Sequence, residues 1–201
     1  MIEAGQPKGV EQPKEFSFTA ENMARAKAQM AKYPDGKQQS AIMALLHIAQ
    51  EQKGWLPTAA IAYCADLLDM PQIRAFEVAS FYTMYHRRPV GKHHIQVCTS
   101  GPCYLRGSDE ILEACRRKTG VHHHEVSPDG KFSVEEVECL GACVNAPMLQ
   151  INNNYFEDLT VEQTEDLIDC LAHGGEVQHG SQTGRQCSCA WSGPTTLKEA
   201  K

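Results

Sequence analysis

The sequence has no apolar stretch that approaches the roughly 20 residues needed to cross a lipid bilayer. Its opening, MIEAGQPKGVEQPKEF, contains neither an apolar core nor an arginine, which excludes the usual patterns of a secretory signal and of an organellar transit peptide. We therefore expect the chain to act in the compartment where it is made, or to have already lost a presequence. The net charge of −6 lacks the basic surplus typical of a nucleic-acid binder.

Two kinds of catalytic or binding motif are also missing. There is no G-x-G-x-x-G pattern and no glycine-rich phosphate loop, so the chain has no visible means of binding NADH or a flavin itself. Cysteine, by contrast, is abundant, with nine among 201 residues. In a reducing compartment clustered cysteines point to metal binding or catalysis before disulfides, and an odd number leaves at least one thiol unpaired.

Composition and periodicity divide the chain into segments and predict an α+β protein. Four amphipathic helices form a predicted bundle, with starts at Thr19, near Gln38, at Pro57 and at Pro71. The pattern then changes to a β-α-β-β-β-α order, in which helices pack on a sheet. The predicted segments are a flexible 1–15, the bundle 16–90, the mixed domain 91–173 and an extended polar tail without a core, 174–201.

The mixed domain carries two cysteine pairs, each directly after a predicted strand. QVCTSGPCYLRGS contains Cys98 and Cys103, whose C-x4-C spacing is too wide for a thioredoxin-type C-x-x-C redox pair. VECLGACVNAP contains Cys139 and Cys143. Four thiolates suit an iron–sulfur cluster or an all-cysteine zinc site, and the glycines let backbone N–H groups turn toward anionic sulfur. The spacing alone leaves both metals open, as well as free or disulfide-bonded cysteines.

Acidic residues precede the second cysteine pair. Glu135, Glu136 and Glu138 all lie within the strand that leads to Cys139. If these carboxylates lie close to a bound cluster, they disfavour its more negative reduced state. We therefore expect them to hold the reduction potential low.

The cysteine segments resemble those of a known family. V-C-T-S-G-P-C with the downstream E-C-L-G-A-C-V-N-A-P closely resembles the 24 kDa-type subunits of respiratory complex I, and FYTMY, GWLP, SPDGKF and YFEDLT extend the resemblance over about residues 16–173. The resemblance implies a helical bundle followed by a thioredoxin-like α/β domain, with a cis peptide before Pro147. It also implies one [2Fe–2S] cluster, held by Cys98, Cys103, Cys139 and Cys143.

The same resemblance implies a role and partners. The chain would exchange single electrons with the FMN of an NADH-oxidising partner subunit, next to a multi-cluster iron–sulfur subunit. It would lie in a peripheral arm on the cytoplasmic side of the inner membrane, or on the matrix side in an organelle, without inserting into the membrane. Two alternatives stay open: the equivalent diaphorase subunit of an NAD-linked hydrogenase or formate dehydrogenase, and a structural four-cysteine zinc module without redox function.

The other cysteines and the histidine clusters have plainer interpretations. Cysteines on apolar helix faces are predicted to be inert core thiols: Cys64, Cys115 and Cys170. Cys187 and Cys189 in the tail are interpreted as incidental thiols. The histidine runs 93–94 and 122–124 are predicted to be solvated edges, because neighbouring side chains on an extended chain point to alternate sides and cannot all reach one ion.

Overall fold

The computed structural model describes residues 10–122, 125–190, 192–193 and 196. The predicted N-terminal segment lies outside the described residues up to position 9, as do His123 and His124. Contacts divide the chain into two compact units, one ending at Pro89 and the other beginning at Val90. Among the described residues, no helix combines the length and the apolar character needed to cross a membrane.

The first unit is helical, as its periodicity predicts. Thr19 accepts a hydrogen bond from the backbone N–H of Asn22 (3.2 Å), which satisfies one of the free donors at the start of the first helix. Gly54 ends the second helix with φ +83°. The helices are α1 (Ala20–Met30), α2 (Ile42–Lys53), which follows a 3-10 turn (Gln38–Ala41), α3 (Thr58–Leu67) and α4 (Gln72–Phe81).

The second unit contains a five-stranded sheet in the order β2-β1-β3-β4-β5. Its strands are β1 (His93–Cys98), β2 (Phe132–Val137), β3 (Leu149–Ile151), β4 (Asn154–Glu157) and β5 (Gly180–Ser181). Strands β1 and β2 are parallel, and Cys98 pairs with Val137 at their carboxyl ends. The two cysteine segments therefore leave the sheet at the same edge. The hairpin β3–β4 adds antiparallel strands beyond β1, and β5 pairs in parallel with β4.

Three helices accompany this sheet: α5 (Gly101–Leu105), α6 (Ser108–Thr119) and α7 (Val161–Ala172). Ile111 of α6 and Ile168 of α7 belong to one apolar core with Ile95 of β1. Helix α7 begins with a capping box, in which Thr160 accepts from the N–H of Gln163 and the Gln163 side chain accepts from the N–H of Thr160. The mixed element content confirms the predicted α+β class.

Helix α5 was not predicted, because the sequence between the first two cysteines has the composition of a loop. Gly101 and Pro102 are typical of turns, but proline is also accepted in the first turn of a helix, where its missing N–H has no partner to lose. A helix of five residues is too short to show a periodic pattern. Cys103 consequently lies in a helix rather than in a loop.

The tail also differs from expectation. The sequence predicts an extended arm without a core, whereas Gly180–Ser181 pairs with β4 and Val177 packs against the apolar core of the second unit. Arg185 further on forms an ion pair with Asp158. These contacts are mostly polar, and a search for apolar periodicity does not detect polar contacts.

The structure settles two of the plainer interpretations. Cys64 and Cys115 are buried core thiols, and burial raises the pKa of each to about 12. The prediction of a solvated edge is wrong for His94, which is 4% exposed, because β1 lies inside the sheet between β2 and β3. Its Nδ1 lies 2.7 Å from the Ser133 hydroxyl and its Nε2 3.2 Å from the Glu135 carboxylate.

Candidate metal centre

The first cysteine pair is built into the edge of the core. Cys98 ends β1 and is 2% exposed, and Cys103 in α5 is 1% exposed. They form a small buried cluster with Ala146 and Met148, and the backbone N–H of Cys98 donates to the carbonyl of Met148 (3.4 Å). Burial raises the pKa of the Cys103 thiol to about 12, with a smaller contribution from the neighbouring Cys98. Regular backbone thus fixes both thiols in a water-poor site.

The second pair lies on an exposed loop after β2. Cys139 and Cys143 are both exposed, and their sulfur atoms lie 3.4 Å apart. The loop turns at Gly141, whose φ of +84° strongly favours glycine and whose N–H donates to Sγ of Cys139 (3.4 Å). A 3-10 turn (Cys143–Asn145) follows, and the Tyr155 hydroxyl donates to the carbonyl of Leu140 (2.7 Å).

The two pairs leave the same edge of the sheet and interact electrostatically. Cys98 contributes to the pKa shifts of Cys103, Cys139 and Cys143. The N–H of Gly141 lowers the pKa of Cys139, and Cys143 lowers it further. The pKa of Cys143 is raised, first by its hydrogen bond with Cys139 and also by burial and by the charges of Cys139 and Cys98. Cys139 is therefore the easier of the two exposed thiols to deprotonate, and a second thiolate beside it needs a nearby cation.

Carboxylates connect the two cysteine segments. Glu136 accepts a hydrogen bond from the hydroxyl of Thr99 (2.9 Å), and Glu138 accepts one from the hydroxyl of Ser100 (3.0 Å). The negative charge of Glu138 acts to raise the pKa of Cys139, against the stronger effect of the Gly141 N–H. Two of the three glutamates expected near the site thus lie beside it, while Glu135 contacts His94 instead.

The donor set fits the group that the sequence suggests. Sulfur ligands suit iron–sulfur clusters and zinc, and four cysteines complete either kind of site. A backbone N–H directed at Sγ of Cys139 is the kind of donor that stabilises the negative charge of a thiolate ligand. The arrangement can hold a [2Fe–2S] cluster, and the donor set by itself does not distinguish it from zinc.

Sequence reasoning missed three residues beside the second pair: Asn145, Asp158 and Arg185. Arg185 donates to the carbonyl of Val144 (3.0 Å) and pairs with Asp158 (2.9 Å), and Nδ2 of Asn145 donates to the carbonyl of Cys187 (2.8 Å). An isolated arginine in a polar tail gives no sequence signal for a buried ion pair. The interpretation of Cys187 and Cys189 as incidental thiols stays a prediction.

Comparisons with known proteins agree with this geometry. The family model of the thioredoxin-like [2Fe-2S] ferredoxin matches residues 26–172. The E subunit of NADH-quinone oxidoreductase from Rickettsia bellii is 55% identical over 157 residues, covering 78% of this chain and 94% of the relative. Its counterpart of the same name from Rickettsia felis is 52% identical over 155 residues, covering 77% and 93%.

A solved structure shares the fold. A chain of an NAD+-reducing [NiFe]-hydrogenase in the H2-reduced state has a TM-score of 0.58 at 19% identity, over 66% of this chain and 22% of that longer chain. The Ala146–Pro147 peptide is cis, as the resemblance predicts. The family match and the shared architecture confirm the thioredoxin-like fold, and this chain belongs to the thioredoxin-like [2Fe–2S] ferredoxin family, within which it groups with the E subunits of NADH-quinone oxidoreductase.

Proposed function

We propose that this chain is the one-electron-transfer [2Fe–2S] subunit of an NADH-quinone oxidoreductase, respiratory complex I. The observation that carries the proposal is that both cysteine pairs follow strands ending at one sheet edge and influence one another electrostatically, in a chain 55% identical over most of its length to the E subunit of such an oxidoreductase. The enzyme in this view is the whole complex, because the sequence has no pattern for binding NADH or a flavin.

Cys98, Cys103, Cys139 and Cys143 would hold the cluster, two from the buried segment and two from the exposed loop. When bound, a [2Fe–2S] group takes up and releases one electron. The protein's own part is electrostatic and steric. The core around Cys98 and Cys103 excludes water, the Gly141 N–H stabilises negative charge on Cys139, and Glu138 opposes any added negative charge.

The exposed side of the site supports docking of a partner there. Cys139 and Cys143 reach the surface, and the apolar side chains of Leu105 and Val144 nearby are 83% and 63% exposed. Exposed apolar side chains beside a site are typical of surfaces that a partner covers. We infer that the partner is the subunit that oxidises NADH on FMN, since hydride chemistry needs a cofactor that accepts two electrons. The multi-cluster iron–sulfur subunit would lie next to it, in a peripheral arm on the cytoplasmic or matrix side of the membrane.

Metal analysis tests the cofactor. The full-length chain, purified anaerobically, should be coloured and contain about two irons and about two acid-labile sulfides, with an electron paramagnetic resonance (EPR) signal after reduction. A colourless protein with about one zinc and no sulfide would instead establish the structural zinc module.

Purification from native membranes tests the partner. The membrane subunits of complex I should copurify with the chain, whereas a hydrogenase or formate dehydrogenase subunit in their place would contradict the proposal.

A further inference from the structure

Arg185 joins the tail to the segment that carries Cys143. One guanidinium nitrogen donates to the backbone carbonyl of Val144 (3.0 Å), and the other lies 2.9 Å from Oδ1 of Asp158. The side chains of Arg185 and Asp158 are only 11% and 3% exposed, so water competes little with this ion pair. Because Val144 directly follows Cys143, the guanidinium holds the backbone next to one of the four thiols.

The next residue, Asn145, is held from two sides. Its side chain is buried, and Nδ2 lies 2.8 Å from the carbonyl of Cys187 in the tail and 2.9 Å from Oε2 of Glu157 at the end of β4. Its backbone carbonyl accepts from the N–H of Asp158 (2.8 Å). The turn that begins at Cys143 is thus fastened between the end of β4 and the tail.

The tail segment that carries Arg185 is itself anchored next to Asp158, through Ser181. Ser181 lies in β5, and its hydroxyl donates to Oδ2 of Asp158 (2.7 Å). The same hydroxyl lies 3.2 Å from the backbone N–H of Arg185, from which it accepts. One serine therefore orients both the arginine backbone and the carboxylate with which the arginine pairs.

We propose that Arg185 is a positioning residue, which holds Cys143 in place for the cluster by fixing the Val144 carbonyl. This inference rests on the proposed function. Cys143 has no strand or long helix to fix it, since it begins a three-residue 3-10 turn on an exposed loop. Together with Cys143 and Val144, Arg185 lines a surface cavity of about 630 Å³, through which water and chelators can approach. Loosening the turn would let the Cys143 thiol swing into that cavity.

The test compares two variants of the full-length, cluster-loaded chain. Arg185→Gln should release iron to a chelator at least about tenfold faster than the native chain, because it breaks a buried ion pair and frees the Val144 carbonyl. The EPR line shape of the reduced protein should change as well. Arg185→Lys should restore only part of the retention, because an ammonium group lacks the planar fork that reaches carbonyl and carboxylate together.

A matched control removes an arginine ion pair away from the site. Arg117 on α6 pairs with Glu165 on α7, where the two side chains are 58% and 32% exposed, and Arg117→Gln should leave iron release within about twofold of the native rate. Release from Arg185→Gln at the rate of this control, with an unchanged EPR line shape, would overturn the proposal.

Two further measurements distinguish a loss of Cys143 positioning from a loss of folding and from the binding of zinc in place of a cluster. If Arg185→Gln does not fold, as judged by thermal unfolding, Ser181→Ala decides: the proposal expects faster iron release, and a native release rate contradicts it. If the native chain binds zinc instead of a cluster, the proposed function fails. Zinc release from the same variants then still tests whether Arg185 positions Cys143.

Discussion

The two cysteine pairs that we propose as cluster ligands carry the same sulfur atoms but are held in different ways. Cys98 and Cys103 are fixed by a central strand and a helix and are almost fully buried. Cys139 and Cys143 lie on an exposed loop that is held by a few hydrogen bonds, such as those from Tyr155 to the Leu140 carbonyl and from Arg185 to the Val144 carbonyl. Hydrophobic packing therefore determines the position of the first pair, whereas a few polar contacts, several of them from the tail, determine that of the second.

Serine substitutions should separate the pairs most clearly. Cys98→Ser and Cys103→Ser should abolish cluster binding, because rigid, buried backbone cannot move to bring the shorter serine side chain to the metal. Cys139→Ser and Cys143→Ser should retain more of the iron, because a few polar contacts, rather than a packed core, hold their loop and leave room for the small shift that a serine ligand needs. Iron and sulfide per chain, with EPR of the reduced protein, measure the difference.

The control for this comparison is Cys170→Ser, which changes a partly exposed thiol on α7 and should leave the iron content unchanged. Equal losses from all four serine variants would show that the exposed loop is as rigid as the strand edge, and the contrast between the pairs would disappear.

The contrast also explains which features could be predicted from the sequence. The helix that starts after Thr160 has a capping residue and apolar residues at helical spacing, and the observed strands and helices bear out the predicted α+β class. The two cysteine motifs, each directly after a strand, also predict one four-thiol site. Packing against the core produces these features, and packing leaves a repeating pattern in the sequence.

The missing features depend on long-range polar contacts. Helix α5 is too short for a pattern, and the pairing of Arg185 with Asp158 joins residues 27 positions apart through side chains that are usually solvated. For His94 the sequence predicts exposure, because histidine is commonly exposed, whereas the side chain is buried. Its strand lies inside the sheet, and the order of strands cannot be seen in the local sequence. Each error arose where tertiary contacts override local composition.

A smaller effect is expected where a carboxylate links the two pairs. Glu138→Gln keeps an oxygen that can accept from Ser100 but removes a negative charge that acts on Cys139. The reduction potential of the cluster should therefore rise, on the order of tens of millivolts, because the reduced state is more negative than the oxidised one. An EPR-monitored redox titration measures it, with Glu162→Gln at the start of α7 as the control. An unchanged or lower potential would remove Glu138 from the electrostatics of the site.

The smallest effect concerns Glu157, which accepts from Asn145 and so supports the loop of the exposed pair. Burial raises the pKa of Glu157, as does the neighbouring Asp158, against the opposing effects of Asn145 and Arg185. Because its folded-state pKa is raised, the protonated form of Glu157 is the one that the fold favours. The stability gained from this form is complete below the unfolded pKa of about 4.3 and is lost as the pH rises through the folded-state pKa. At neutral pH the charged carboxylate therefore costs some stability.

Glu157→Gln removes this cost while keeping an oxygen that can accept from Asn145. The variant should unfold at a slightly higher temperature than the native chain at pH 8, and the gain should shrink as the pH is lowered toward the raised folded-state pKa of Glu157. Thermal unfolding of the cluster-loaded chain at several pH values measures it, with the exposed Glu176→Gln as the control. A gain that stayed constant with pH would mean that packing, and not the charge on Glu157, sets the stability of the loop that holds Cys143.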